Sequence, residues 1–305
     1  MIQGTRTMNN NTYKSMRFSV LGGDLRQLYV ASGLSKAGCK VKLYGFDGYT
    51  DISEGITLSD DLKAALNGCN YIILPLPYST DGVYLNSPYS KKKTKMSEIY
   101  DMITKDTLVL GGKFSSRELN ERGIKTVDYF EREELQILNA VPTAEGAIQT
   151  AMEERPYTLS RSDCLVVGYG RIGKILSSML KGMNVNVTVS ARKFEDLAWI
   201  KAYGMTPILT SELESNISRF DVVFNTVPAP VIDKSVLKNS KKSTLFIDLA
   251  SKPGGIDFEE ARLYGIDTVW SLSLPGKVAP ATAGEFVKET VLNIIEQENG
   301  RIRNG

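Results

Sequence analysis

The chain has 305 residues, of which 42% are hydrophobic and 24% charged, with a formal net charge of +2. That is room for two ordinary globular domains, each able to bury a core. The near-neutral charge argues against a nucleic-acid partner, and no apolar run approaches the ~18 residues of a membrane helix.

Histidine is absent. This removes His-dependent triads, His-rich zinc sites and the His general base common in 2-hydroxy-acid dehydrogenases. Cys39, Cys69 and Cys164 are scattered among strand-like runs with no C-x-x-C pair. They read as buried thiols, so neither a disulfide nor a metal site is expected. With a polar N-terminus and no signal peptide, a cytoplasmic protein is expected.

In chain order, residues 1–15 are polar and aperiodic and read as a disordered leader. Residues 16–150 predict a first α/β domain, flavodoxin-like and on the substrate side. Its strands fall near Phe18–Leu21, Val41–Tyr44, Tyr71–Leu74, Thr107–Leu110 and Lys125–Asp128, with helices between them. Gly22-Gly23-Asp24 lacks the later glycine of a dinucleotide fingerprint, so no dinucleotide is expected there. The loop 75–89 follows a strand end, where open α/β sheets place ligands. Lys91 to Lys95 is a basic run that reads as a solvated loop. Glu131 to Glu153 predicts a helix interrupted near Pro142, and Arg155-Pro156 a hinge.

Residues 151–280 predict a second domain. Cys164 to Val167 is an apolar strand that runs into Gly168-Tyr169-Gly170-Arg171-Ile172-Gly173, a G-x-G-x-x-G. Ile172, Ile175, Leu176, Met179 and Leu180 then form one helical stripe, and Gly182 stands where a helix end favours positive φ. Val185, Val187 and Val189 alternate as a second strand. Strand, glycine turn, helix and strand in sequence identify a dinucleotide site. Gly168 permits the turn, Gly170 leaves space for the pyrophosphate, and Gly173 lets helix and strand approach. The helix N-terminus favours the phosphates.

The second strand ends Ser190-Ala191-Arg192-Lys193, with no carboxylate before Glu195 and Asp196. A hydroxyl and two cations suit a 2′-phosphate, so Ser190, Arg192 and Lys193 point to NADP over NAD. Further strands end at Thr226-Val227-Pro228 and at Leu249-Ala250-Ser251. The turns after the fourth and fifth strands of such a sheet border the nicotinamide. Residues 281–305 predict a terminal helix that packs back on the first domain. The fold class is α/β, with two doubly wound parallel-sheet, Rossmann-like domains and a cleft between them.

Four blocks occur together: VVGYGRIG from Val166, NTVP from Asn225, DLASKPGG from Asp248 and LPGKVAPATAG from Leu274. In this order and spacing they resemble the A subunit of dipicolinate synthase, over about residues 17–296. The last two blocks are the specific ones. The polar leader and the lysine run depart from the family pattern. The resemblance implies NAD(P)-linked oxidation of a dihydrodipicolinate-type ring to dipicolinate during spore formation, with a B subunit related to flavoprotein decarboxylases. A dicarboxylate substrate calls for cations and hydrogen-bond donors. Lys113, Lys252 and Lys277, with Ser79, Thr80 and Asp81, are candidates by their position after strand ends. No catalytic base is singled out, and homo-oligomerisation is left open. Two alternatives stand beside this reading: a non-catalytic NADP-binding scaffold subunit, and a related NADP dehydrogenase of a small keto or amino acid.

Overall fold

The structure, a computed structural model, describes residues 10–300. The chain divides into two compact units: the first runs to Gln136 and takes in the segment from Pro280 onward, and the second spans Ile137–Ala279.

The first unit begins with α1 (Asn10–Ser15), β1 (Arg17–Leu21), α2 (Leu25–Lys36), β2 (Lys40–Tyr44), β3 (Ile56–Ser59), α3 (Leu62–Leu66) and β4 (Tyr71–Ile73). It continues through α4 (Met96–Asp101), β5 (Leu108–Gly111), α5 (Arg117–Glu121) and β6 (Lys125–Asp128). All its strands are parallel, in the order β3-β2-β1-β4-β5-β6. This is the doubly wound order of dinucleotide-binding folds, not the flavodoxin-like order expected from the sequence. The sixth strand, β3, carries no sequence signal because it is an edge strand without a buried face: Leu58 is 39% exposed.

The leader expected over residues 1–15 lies outside the described residues up to residue 9. Asn10–Ser15 is helical, and Tyr13 packs against the first core beside Met16. Burial of that ring gives the segment the order that its polar composition hides.

Glu133–Glu154 is one helix, α6, with Pro142 inside it. The interruption expected at the proline does not occur. Pro142 forfeits one backbone bond, but helix packing on both sides of it outweighs that loss. Leu135 belongs to the first core, and Ala144, Ala147 and Ala151 belong to the second. The units therefore divide within this helix, not at residue 150.

The second unit holds β7 (Asp163–Val167), α7 (Arg171–Gly182), β8 (Asn186–Ala191), α8 (Phe194–Ala202), β9 (Thr206–Leu209), α9 (Leu213–Asn216) and β10 (Val222–Asn225). α10 (Lys234–Lys238), β11 (Leu245–Asp248), α11 (Phe258–Tyr264), β12 (Asp267–Trp270) and α12 (Leu274–Val278) complete it. Its strand order, β12-β11-β10-β7-β8-β9, repeats that of the first unit. β9 is hidden in the sequence because Pro207 sits within it. The strand is at the edge of the sheet, where a missing N–H is tolerated. α7 runs through Gly182, and the left-handed turn expected there falls on Asn184, at φ 61°.

The last helix, α13 (Pro280–Glu298), returns to the first unit. Val287, Val291, Ile294 and Ile295 join Phe18, Val30 and Leu34 in one core. Burial pushes the thiols of Cys39 and Cys164 up to about 11. No helix among the described residues is long and apolar enough to cross a membrane.

The contact of α13 with α2 is close enough to test. A Cβ at Gly284 would stand 2.6 Å from the Arg26 carbonyl oxygen and 2.7 Å from Tyr29 Cβ. Gly284→Val is expected to destabilise the protein by about 1–3 kcal/mol through overpacking, more than any gain in helix propensity returns. Chemical denaturation measures this, and an unchanged midpoint would contradict the packing.

Candidate functional site

The strongest site is built where β7 meets α7. Gly168 takes φ +97°, and a Cβ there would lie 2.6 Å from Thr226 Oγ1 and 2.8 Å from Val227 Cγ2. The turn is tied to its neighbours on both sides. The Gly168 N–H donates to the Ser190 carbonyl at 3.0 Å, and Thr226 donates to the Val167 carbonyl through its N–H at 3.0 Å and its hydroxyl at 2.9 Å. A Cβ at Gly173 would stand 2.1 Å from the Gly168 carbonyl oxygen. At Gly170 it would meet nothing within 4 Å. The three glycines therefore differ in purpose: turn, open face and close packing.

Gly170 caps α7 with no side-chain hydrogen bond. The amides of the first helical turn lack internal acceptors, so this end is suited to an anion. In front of it lies a pocket of about 420 Å³ lined by Gly168, Tyr169, Gly170, Arg171, Ile172, Ala191, Arg192, Lys193, Asp196, Thr210, Thr226, Val227, Pro228, Ala229 and Val231. Ten of the residues singled out from the sequence therefore stand on one wall or another. The open face at Gly170, the uncapped helix start and the adjoining cations together fit a dinucleotide.

Gly173 lies beneath the turn and serves packing. Ser190 is fully buried and its hydroxyl has no hydrogen-bond partner. Both faces of a parallel sheet are covered, so this strand residue points into the interior and does not line the pocket. Leu249 and Ala250 are buried and Ser251 is exposed, and none lines the pocket.

Asp196, Thr210, Ala229 and Val231 join the pocket without having been singled out from the sequence. Asp196 sits in the first turn of α8, three residues past Lys193, so it faces the same side. Thr210 follows β9 directly, and the register pairs Ala191 with Leu209, which sets Thr210 beside Arg192. Recognising β9 is what finds it.

Arg192 and Lys193 are exposed. Lys193 Nζ lies 3.3 Å from Glu195 Oε1, but both side chains are 70% exposed and such a pair contributes little. Arg192 joins no ion pair among the described residues. Burial raises the Tyr169 phenol, and Lys174 Nζ stands 5.4 Å from the centre of its ring.

The matching turn of the first unit has different chemistry. There Asp24 caps α2, accepting from the Arg26 N–H at 3.0 Å, and its carboxylate pairs with the Arg26 guanidinium at 2.8 Å. A fixed anion thus occupies the helix start.

The remaining candidates divide between the units. In the first, Ser79 donates to the Tyr84 carbonyl at 2.5 Å. Asp81 Oδ1 accepts from the N–H groups of Val83 at 2.8 Å and Tyr84 at 2.9 Å, which hold its carboxyl below the usual range. These two side chains close their own loop, while Thr80 is exposed. Lys113 has φ 54° and its N–H donates to Asp128 Oδ1 at 3.1 Å; its ammonium lies 5.5 Å from the centre of the Phe130 ring. In the second unit Lys252 and Lys277 lie on the β11–α11 connection and on α12, Lys252 exposed.

The sequence model for the N-terminal domain of the dipicolinate synthase A subunit matches residues 17–130. That for the NAD-binding domain of D-isomer-specific 2-hydroxyacid dehydrogenases matches residues 132–255. The crystal structure of a transhydrogenase from Sinorhizobium meliloti is 15% identical, covers 92% of this chain and 93% of its own, and superposes with a TM-score of 0.66, a likeness of fold alone. Fold and site define the second unit as an NAD(P)-binding domain of the dehydrogenase type.

The A subunit of dipicolinate synthase from Bacillus subtilis is 30% identical over 94% of this chain and 99% of its own. A crystal structure of the same subunit from Bacillus halodurans is 31% identical, with a TM-score of 0.84 over 92% of this chain and 97% of its own. The chain belongs to the family of dipicolinate synthase A subunits.

Two substitutions separate ligand space from packing space. Gly170→Val should keep the melting temperature and abolish dinucleotide binding. Gly173→Val should lower stability by roughly 1–3 kcal/mol or more, because its neighbour is backbone. Calorimetry and thermal melts read both, and an unfolded Gly170→Val protein would contradict the open face.

Proposed function

We propose that this chain oxidises a dihydrodipicolinate-type ring to pyridine-2,6-dicarboxylate with NADP as hydride acceptor, in a complex with a B subunit. The observation that carries the reading is the pocket wall at the end of β8. It offers Arg192 and Lys193 beside an uncapped helix start, with Arg192 in no ion pair among the described residues. Membership of the A-subunit family supports the substrate and the multi-subunit setting.

The chemistry is consistent with a chain without histidine. Bound NADP would supply the hydride acceptor, and oxidation of the ring would remove a hydride from one ring carbon and a proton from its neighbour. The gain of aromaticity drives the step, so little acid–base assistance is required. The protein's task is then binding and orientation. Gly170 leaves the phosphates room, and Arg192 with Lys193 holds the adenosine end. Thr226, Val227 and Pro228 form the wall toward the other end. Lys113 and Thr80 in the first unit, and Lys252 and Lys277 in the second, are each proposed as candidate carboxylate-binding groups of their own unit. Ser79 and Asp81 act through the shape of their loop.

The test is to supply purified chain with NADP or NAD and a dihydropyridine dicarboxylate, with and without the B subunit, and to follow the reduced cofactor. Turnover supports the reading; dinucleotide binding with no turnover, even with the B subunit present, makes the chain a scaffold. Arg192→Ala is expected to weaken NADP binding by about 1–3 kcal/mol and to spare NAD. Equal losses for the two cofactors would remove the 2′-phosphate argument.

A further inference from the structure

The C-terminal ends of β10 and β11 share a carboxylate that none of the pocket contacts explains. Asp248 ends β11 and is fully buried, as is Asn225, its register partner at the end of β10. Asn225 Nδ2 donates to Asp248 Oδ1 at 2.8 Å, and the Ala250 N–H donates to the same oxygen at 3.0 Å. The Gly255 N–H donates to Oδ2 at 2.8 Å. The Asn225 amide is oriented by its own Oδ1, which accepts from the Val227 N–H at 3.1 Å.

Each of these groups donates to Asp248, the pattern of an ionised acid; a protonated one would need an acceptor. Each donor is neutral, and no ion pair reaches Asp248 among the described residues. The bonds hold the segment from Ala250 to Gly255 in place, which is a structural role. They satisfy its oxygens but bring no counter-charge, and a buried carboxylate with no cation beside it is costly enough to call for a reason.

Its location supplies one. Strand order reverses at β7, with β8 on one side and β10 and β11 on the other. A dinucleotide across that switch point turns its adenosine toward β8 and its nicotinamide toward β10 and β11. The nicotinamide ring is a cation when oxidised and neutral once it has taken a hydride. A fixed negative charge in a low-dielectric interior acts differently on the two forms.

We infer that the buried Asp248 carboxylate selects the oxidised dinucleotide over the reduced one, loading the site with hydride acceptor and speeding release of the product form. The inference rests on the reading that the second unit binds a nicotinamide dinucleotide.

Dissociation constants for NADP+, NADPH and 2′-phospho-ADP-ribose, which lacks the nicotinamide, decide it. The wild-type protein should bind NADP+ more tightly than NADPH. Asp248→Asn should cut that preference roughly tenfold, while changing the affinity of the fragment by less than about twofold. If the role is only structural, all three affinities fall together and the preference is kept, which overturns the inference. If Asp248→Asn does not fold, the wild-type values decide alone: NADPH bound as tightly as NADP+, or more tightly, overturns it. Failure of all three to bind removes the cofactor reading, and the inference with it.

Discussion

The second unit depends on how near α7 is allowed to come to the end of β7. A single methyl group at position 173 would sit 2.1 Å from the Gly168 carbonyl oxygen. With glycine there, the helix starts directly off the strand, and its free amides face the carboxyl edge of the sheet. The pocket is a consequence of that approach. Gly168 can make the turn only at positive φ, which brings it against Thr226 and Val227 from the next strand over. The closing of the turn and the placing of one pocket wall are thus a single packing event.

The first unit shows that fold alone does not create this site. Its sheet has the same strand order, and its first long helix starts after a glycine turn in the same place. A Cβ at Gly23 would meet Gln27 Cγ at 2.3 Å and Pro75 Cβ at 2.9 Å, so the glycine answers to packing and leaves no open face. The helix start itself is taken by the Asp24 carboxylate. One duplicated architecture therefore presents an anion at one helix start and an anion acceptor at the other. The difference lies in two residues, Asp24 and Gly170.

Most of this architecture is legible in the sequence because the central strands are apolar on both faces and end in glycine or proline. Fingerprint, pocket wall and the two cations can be read from residue order alone. What escapes such a reading has specific causes. β3 and β9 are edge strands, one half-exposed and one carrying a proline, so neither displays the buried pattern that marks a strand. Without β9, Thr210 is hidden, since only the register between β8 and β9 sets it next to Arg192. Ser190 misleads for the opposite reason. Its position in the chain is that of a ribose contact, but β8 is buried on both faces from Val187 onward, so its hydroxyl lies in the interior. At Pro142 a local rule about helix breaking yields to cores packed along both halves of α6.

The charges of the second unit are arranged along one direction of the sheet. Cations stand exposed beyond β8, the uncapped start of α7 lies in the middle, and a buried carboxylate lies at the end of β11. An oxidised phosphorylated dinucleotide has the opposite sequence of charge: phosphate on the adenosine ribose, pyrophosphate in the centre, a cationic ring at the far end. Surface cations are screened and cheap to place, so their presence at that end does not burden the fold. A buried carboxylate is neither screened nor cheap, and it persists here because Asn225 and two loop amides satisfy its oxygens. The same three bonds that make the charge tolerable also anchor the segment from Ala250 to Gly255. In the role proposed for Asp248, a loop-holding contact and a charge that distinguishes the two cofactor states occupy one side chain, and the donors around it are all neutral.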